Sequence, residues 1–384
     1  MTTNASQNHA PEAGAAGPLE GIRVLDLTHH LGGPLATMAL AQLGADVIKV
    51  EPPEGDGWRR VDDVRGESRL FHAVNRDKRG VVLDLKSDEG REVLGRLLDW
   101  ADVLVHSLGP GVAERLGFGP DEATARNPRL VYCSLSGFGP GERRGTDVAV
   151  QSESGLIAAN GGRTVPVPAH DTLAPWIMVS GILAALLERE RSGRGQVVET
   201  SLLESAAALS AHRLIRDGSG EPLFNRFVGA MYRAYDTSDG RIALACYAPR
   251  LHERVLVVLG LDELLDDTRF ATLDARAAHS GELAEIMGAR LATETTETWR
   301  SRLAADGLPY GVVAERPFAV LDHPQAVAMG LVVEVEDPTL GPELVTGPPL
   351  RLSRTPGRTE RPAPRLGEHT DEVLAEMGLA RSAP

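Results

Sequence analysis

An aspartate stands just before a long apolar stretch in HDTLAPWIMVSGILAALLERERSGRGQ, which begins at His170. A carboxylate there has two uses. As a helix N-cap, Asp171 would accept hydrogen bonds from the free amides near Leu173 and Ala174. As a working group, it would be kept ionised by the positive potential of the helix end, and an ionised carboxylate can attack a carbonyl carbon. The residues alone leave both open, and the two are compatible. His170 reads either as a general acid or base or as a partly exposed loop histidine.

Three further segments carry usable groups. THHLGGP, from Thr28, follows a strand-like run and pairs two histidines with two glycines. Gly32 and Gly33 permit close backbone approach to a ligand, or make an ordinary glycine turn. GFGPGERRG, from Gly137, has the look of a phosphate loop but lacks the G-x-G-x-x-G spacing, and reads as a loop on the substrate side. In GTDVAVQ, from Gly145, Asp147 reads as a buried structural acid capping the next helix.

These groups need a frame. IRVLDLT, ADVIKVE, KRGVVLDLKS, ADVLVHSL and RLVYCSLSGFG read as strands, and the segments THHLGGPLATMALAQLG and SDEGREVLGRLLDWA as loop and helix between them. Such alternation predicts a mostly parallel sheet with helices on both faces and right-handed connections. Ala174–Glu190 is apolar nearly all round, which predicts a deeply buried helix. Pro175 fits a first helical turn, and Gly193 and Gly195 end the helix. ETSLLESAAALSAHRLIR reads as one more helix, and DGSGEP at 217–222 as a linker. Beyond it, AYDTSDGRIALACY predicts a hairpin with an Asp-Gly turn, helices follow over about 252–306, and LVVEVEDPTLGPELVTGPPLRLS predicts strands. RLGEHTDEVLAEMGL reads as a last helix opened near Thr370. The expected layout is a disordered tail at 1–17, a large domain at 18–216 continued at 319–384, and a smaller inserted α+β domain at 222–318.

Composition excludes several classes. The 384 residues carry a formal net charge of -14, which argues against nucleic acid as a partner. Cys133 and Cys246 make no disulfide framework and suit a reducing cytoplasm. No uninterrupted apolar run reaches the roughly 18 residues of a membrane span, so no membrane partner is expected. There is no dinucleotide fingerprint after IRVLDLT, hence no nucleotide redox cofactor; there is no G-x-S-x-G, and no Cys/His spacing suited to a metal.

Six motifs in order resemble the class III CoA-transferases of the CaiB/BaiF type, which include formyl-CoA transferase, carnitine CoA-transferase and the α-methylacyl-CoA racemases. They are GIRVLDLTHHLGGPLATMALAQLGADVIKVEPP, NRDKRGVVLDLK, GPGVAERLGFGPD, NPRLVYCSLSGFGPG, GILAALLERERSGRGQVVETSLLE and PRLGEHTDEVL. The resemblance runs from about Gly21 to Gly378. It implies a Rossmann-like large domain built from both chain ends, a small domain between them, and two chains interlocked as a homodimer. It implies coenzyme A, carried as an acyl-CoA substrate, and a carboxylic acid as the second substrate.

By the same resemblance, Asp171 holds the place of the nucleophile, with His29 and His170 as possible accessory groups. His29, His30, Leu31 and Gly32 would touch the pantetheine and acyl group. His29 matches a histidine of the formyl-CoA type, while Leu31 replaces a glutamine of that type and suits a less polar acyl group. Arg59, Lys78 and Arg115 fall on places that are basic in the family and would meet CoA phosphates, with Arg60, Arg76 and Arg79 nearby. Ser107-Leu108 replaces an Asn-Phe pair, leaving Leu108 to meet the adenine.

Other departures keep alternatives open. Pro140 replaces an acid, and of a glycine run that closes over the site in some transferases only Gly229 is present. The racemases carry a histidine where Thr146 stands, and threonine accepts no proton at neutral pH. The alternatives to CoA transfer are an α-methylacyl-CoA racemase or epimerase and a repurposed CoA-binding homologue in a biosynthetic pathway.

Overall fold

A computed structural model describes residues 16–141, 143–212, 229–246 and 248–379. Most of the expected tail and the whole of the expected 217–222 linker lie outside the described residues. The chain divides into two compact units, residues 1–210 with 320–384, and residues 211–319.

The larger unit is built on a six-stranded sheet. Its strands are β1 (Arg23–Leu27), β2 (Asp46–Glu51), β3 (Arg79–Val82), β4 (Val103–His106), β5 (Val131–Ser136) and β6 (Val197–Ser201), paired in parallel in the order β3-β2-β1-β4-β5-β6. Side chains alternate between faces, as strand geometry requires. Val24, Val103 and Cys133 enter one apolar core, and Leu25, Leu104 and Tyr132 the other. The first core lies under helices α1 (Gly32–Gln42) and α2 (Ala169–Ser192), the second under helix Asp88–Trp100 and the C-terminal helix Thr370–Glu376. The end of the chain thus returns to the sheet made by its beginning. The strand order reverses between β1 and β4, and the loops after those strands bound a crevice of the kind where parallel sheets bind ligands.

Three expectations are corrected. Glu199–Ser201, expected to open a helix, instead end the edge strand β6, and the helix begins only at Leu202. Its Val197 is 40% exposed, so the segment lacks the apolar run that marks the inner strands. Helix α2 is not buried all round: Met178, Ile182 and Ala185 face the core, whereas Leu187 is 61% exposed. By length and composition α2 could cross a membrane; here one face packs on α1 and β5. Pro175 is in its second turn, because the helix begins at Ala169.

The smaller unit has its own core around Trp299, Met287 and Phe270. It holds a three-stranded antiparallel sheet of Tyr232–Asp236, Arg241–Ala245 and Tyr310–Val312, with the middle strand central, and helices Pro249–Leu259, Ser280–Leu291 and Thr296–Ala305. In the larger unit, Val332–Asp337 and Gly341–Thr346 form an antiparallel pair.

Candidate active site

Asp171 lies in the first turn of α2, after Pro168 at the N-cap position. It is not the cap of that helix. The capping carboxylate is Asp147, whose Oδ1 accepts from the amides of His170 at 2.7 Å and Asp171 at 3.1 Å. Its other oxygen accepts from Gln151 Nε2 at 2.6 Å. Asp147 is therefore a buried structural acid, as expected, but it caps α2 from a distance in sequence while itself opening helix Asp147–Glu153. With the amides taken, the Asp171 carboxylate has no hydrogen-bond partner among the described residues. Burial, and then the charge of Asp147, raise its pKa to about 6. Pro175 lacks an N–H, so the Asp171 carbonyl has no acceptor role in the helix ladder.

A cleft of about 520 Å³ brings Asp171 together with the loop after β1, the loop after β4 and the segment Arg143–Thr146. His29, His30, Leu31, Gly32 and Leu108, all singled out in the sequence, line it. Gly32 is held against the aspartate: a Cβ on it would sit 3.6 Å from Asp171 Oδ1 and 3.0 Å from Leu135 Cδ2. Gly33 has no room at all, since its Cβ would fall 2.4 Å from the Thr28 Cβ. Both glycines occupy the first turn of α1, where amides have no intrahelical acceptor.

The histidine loop is fixed from beneath. Asp26 Oδ1 accepts from the amide and hydroxyl of Thr28, and its Oδ2 from Thr37 and from Lys78 Nζ at 2.9 Å. Burial is the largest influence on Asp26 and would raise its pKa, but the Lys78 and Lys49 charges and the hydrogen bonds from Thr28 and Thr37 together outweigh it and hold Asp26 down at about 2. Lys49 donates to the Thr28 carbonyl at 2.8 Å and pairs with Asp56, which accepts from the His30 amide. His30 takes a left-handed backbone, φ 65°. A non-glycine residue in that region is held there by its surroundings. Burial, and then its neighbour His30, push His29 down to about 4, so its imidazole is neutral at pH 7.

These contacts correct the phosphate assignments of Lys78 and Arg59. Lys78 is fully buried, and its ammonium is used up by Asp26, Pro34 O and Asn75 Oδ1. Arg59 holds Glu51 through two hydrogen bonds of 2.7 Å, donates to the Pro364 carbonyl and stacks on Phe71. Arg76 and Arg79 are likewise buried in internal contacts. Arg115 is exposed at the end of the short helix Val112–Arg115 and lines neither cavity. His170 is also corrected: it is buried, and neither ring nitrogen has a hydrogen-bond partner among the described residues.

Sequence reasoning missed other groups. Arg143 and Arg144 line the Asp171 cleft. A second cavity of about 310 Å³ shares His29, His30 and Leu108 with the first and adds Lys86. The doubled arginine was visible within GFGPGERRG, but only the fold places it opposite the β4 loop. Thr146 lines the cleft as well, and offers no proton carrier at the place a racemase would need one. Elsewhere His72, Asp337 and Glu343, far apart in sequence, bring ligand-type atoms within 4.8 Å of one another; none of the three lines either cavity.

Comparison with known proteins shows the family. Residues 19–370 match the family model of CoA-transferase family III. The succinate–glutarate CoA-transferase of Agrobacterium fabrum is 36% identical, over 94% of this chain and 96% of that protein. The human succinyl-CoA:glutarate CoA-transferase is 33% identical, over 94% of this chain and 86% of that protein. The crystal structure of an aspartate-to-alanine mutant of Rv3272 from Mycobacterium tuberculosis superposes with a TM-score of 0.83 at 32% identity, covering 92% of this chain and 98% of that one. The chain belongs to CoA-transferase family III, whose activity is the transfer of CoA between an acyl-CoA and a carboxylic acid.

Proposed function

We propose that Asp171 carries this transfer covalently. The observation that supports it is a carboxylate in a cleft, without hydrogen-bond partners among the described residues and with a pKa raised to about 6. An unsolvated carboxylate is a better nucleophile than a hydrated one, and at pH 7 it is still about ten-to-one ionised. Its oxygen attacks the thioester carbonyl of the donor. The C–S bond breaks, giving an aspartyl mixed anhydride and a CoA thiolate. The thiolate attacks the aspartyl carbonyl, releasing the donor acid and leaving an aspartyl-CoA thioester. The acceptor acid attacks that thioester, and the same steps run in reverse to the new acyl-CoA. The amides of Gly32 and Gly33, at a helix N-terminus beside Asp171, are the groups suited to hold the developing oxyanion. His29, neutral and tied to Ser107, positions rather than titrates.

Coenzyme A fits along both cavities, with the sulfur at Asp171 and the phosphate end towards Lys86 in the second. Leu31, Leu135, Leu202 and Trp58 give the acyl end an apolar wall. The large unit is read as Rossmann-like, from its strand order. The chain is read as a homodimer, since Leu183, Leu187, Leu203 and Leu209 are exposed on α2 and on helix Leu202–Ser210. It is read as cytoplasmic because both cysteines are free and buried. The test is Asp171→Ala in an exchange assay with succinyl-CoA and a panel of carboxylic acids. Transfer should fall to background while the circular dichroism spectrum is kept; full transfer by that variant sinks the covalent reading.

A further inference from the structure

Away from the Asp171 cleft, one buried histidine is ringed by carboxylates. His72 lies in helix Arg69–Asn75 with its side chain 5% exposed. Its Nε2 is 3.3 Å from Glu67 Oε2, and its Nδ1 is 3.3 Å from Glu343 Oε2 and 3.7 Å from Asp337 Oδ2. Asp337 and Glu343 come from the hairpin of Val332–Asp337 and Gly341–Thr346. Its register pairs Val335 with Glu343 and Asp337 with Gly341, so Asp337 and Glu343 share the inward face. Two of the three carboxylates are anchored by their other oxygen. Asp337 Oδ1 accepts from the amides of Thr339 at 2.7 Å and Leu340 at 2.8 Å, and Glu67 Oε1 is 3.9 Å from Arg365 Nε. Each keeps one oxygen for the histidine.

A neutral imidazole has one N–H and one lone pair. With the N–H at Nε2 given to Glu67, the Nδ1 lone pair faces carboxylate oxygens that carry no proton either. Lone pairs meeting on a buried ring call for a cation between them. The spacing has the size for a metal ion. Zinc bonds of about 2.0–2.2 Å to imidazole nitrogen and carboxylate oxygen set tetrahedral edges of roughly 3.3–3.6 Å between ligand atoms. The two distances from Nδ1, 3.3 and 3.7 Å, are of that size, and the three ligand atoms all lie within 4.8 Å of one another. Glu67, on the far side of the ring, fixes its orientation as outer carboxylates do for metal-bound histidines.

We propose that His72 Nδ1, Asp337 Oδ2 and Glu343 Oε2 form a structural site for a divalent metal ion of the zinc class, with Glu67 as the outer carboxylate and water at the fourth position. One nitrogen and two carboxylate oxygens are a donor set that suits Zn²⁺. The ion clamps the hairpin to helix Arg69–Asn75. That helix also carries Phe71, on which Arg59 stacks, and Asn75, which holds Lys78 beneath the histidine loop. His72 and Glu343 stand 271 residues apart, so no local spacing of ligands announces the site. Neither the ligands nor the ion depend on the role of Asp171.

The test titrates Zn²⁺ into the purified full-length chain, made without a histidine tag and stripped with a chelator. Calorimetry should report one tight site per chain, and saturating Zn²⁺ should raise the melting temperature by roughly 5 °C, reversed by chelator. Glu67→Gln keeps all three ligands and should weaken Zn²⁺ binding about 10- to 100-fold. Asp337→Asn and Glu343→Gln should weaken it at least as much while keeping the circular dichroism spectrum. Co²⁺ in place of Zn²⁺ should give the visible spectrum of a tetrahedral ion in the wild type and lose it in Glu343→Gln. A substitution that merely loosened the hairpin would lower the melting temperature of the stripped protein and leave the affinity for Zn²⁺ unchanged. No tight site in the wild type would mean that a protonated His72 alone holds the carboxylates, and overturns the proposal. Binding that is equally tight in all three variants overturns it too, since the ion would then sit on other histidines.

Discussion

At pH 7 a carboxylate raised to about 6 is mostly ionised but poorly solvated, and both properties can be measured. Because the free enzyme must be ionised to attack, kcat/KM for an acyl-CoA should rise with pH through about 6 and level off above it. The linkage sign follows from a folded pKa above the ordinary value of 3.8. Folding then favours the protonated form, so stability falls as pH rises between about 4 and 6. Asp171→Asn, which mimics the protonated form, should be more stable than wild type at pH 7 by about 1–3 kcal/mol, with the gap closing by pH 4 in denaturation curves. Equal stability at both pH values would mean that the carboxylate is well solvated. Lys78 gives the opposite test. Lys78→Met strands the buried Asp26 charge and should cost about 3–5 kcal/mol of unfolding free energy. A stable Lys78→Met protein with selectively weakened CoA binding would instead make Lys78 a phosphate ligand. The sequence shows Asp171 and the histidine loop because their neighbours are local. It misassigned Lys78 and Arg59 because Asp26 on β1 and Glu51 on β2, which neutralise them, come beside them only on folding.

The elements divide the work at the cleft. The helix α2 presents Asp171, while Asp147, opening another helix, supplies the cap that Asp171 would otherwise have been. That exchange leaves one carboxylate satisfied and the other reactive. Asp147→Asn keeps an amide oxygen for the cap but removes the charge that helps raise Asp171. The pH limb of kcat/KM in that variant should therefore move below 6. A limb that stays in place would assign the shift to burial alone. The inner strands were legible because apolar runs buried on both faces read clearly, whereas the end of β6, at the edge and partly exposed, read as the start of a helix. The cap was not legible, since Asp147 and His170 meet only through tertiary folding.

Across the whole molecule, both chain ends contribute to one sheet-based unit, and residues 211–319 form another. Alternating strands and helices made that plan readable. The burial of α2 was overstated because a helix with apolar residues all round can still face a core on one side only, leaving Leu183 and Leu187 exposed on the other. Light scattering on the purified chain should report a mass of two chains, and substituting Leu183 and Leu187 by Glu should yield monomer; a wild-type monomer at micromolar concentration would contradict the dimer.

The most direct test of the account is to incubate the wild-type enzyme with succinyl-CoA, quench, treat with hydroxylamine and map the peptides by mass spectrometry. The account predicts a hydroxamate on the peptide carrying Asp171 and none in Asp171→Asn. Transfer that proceeds in the wild type with no modification of that peptide would contradict it.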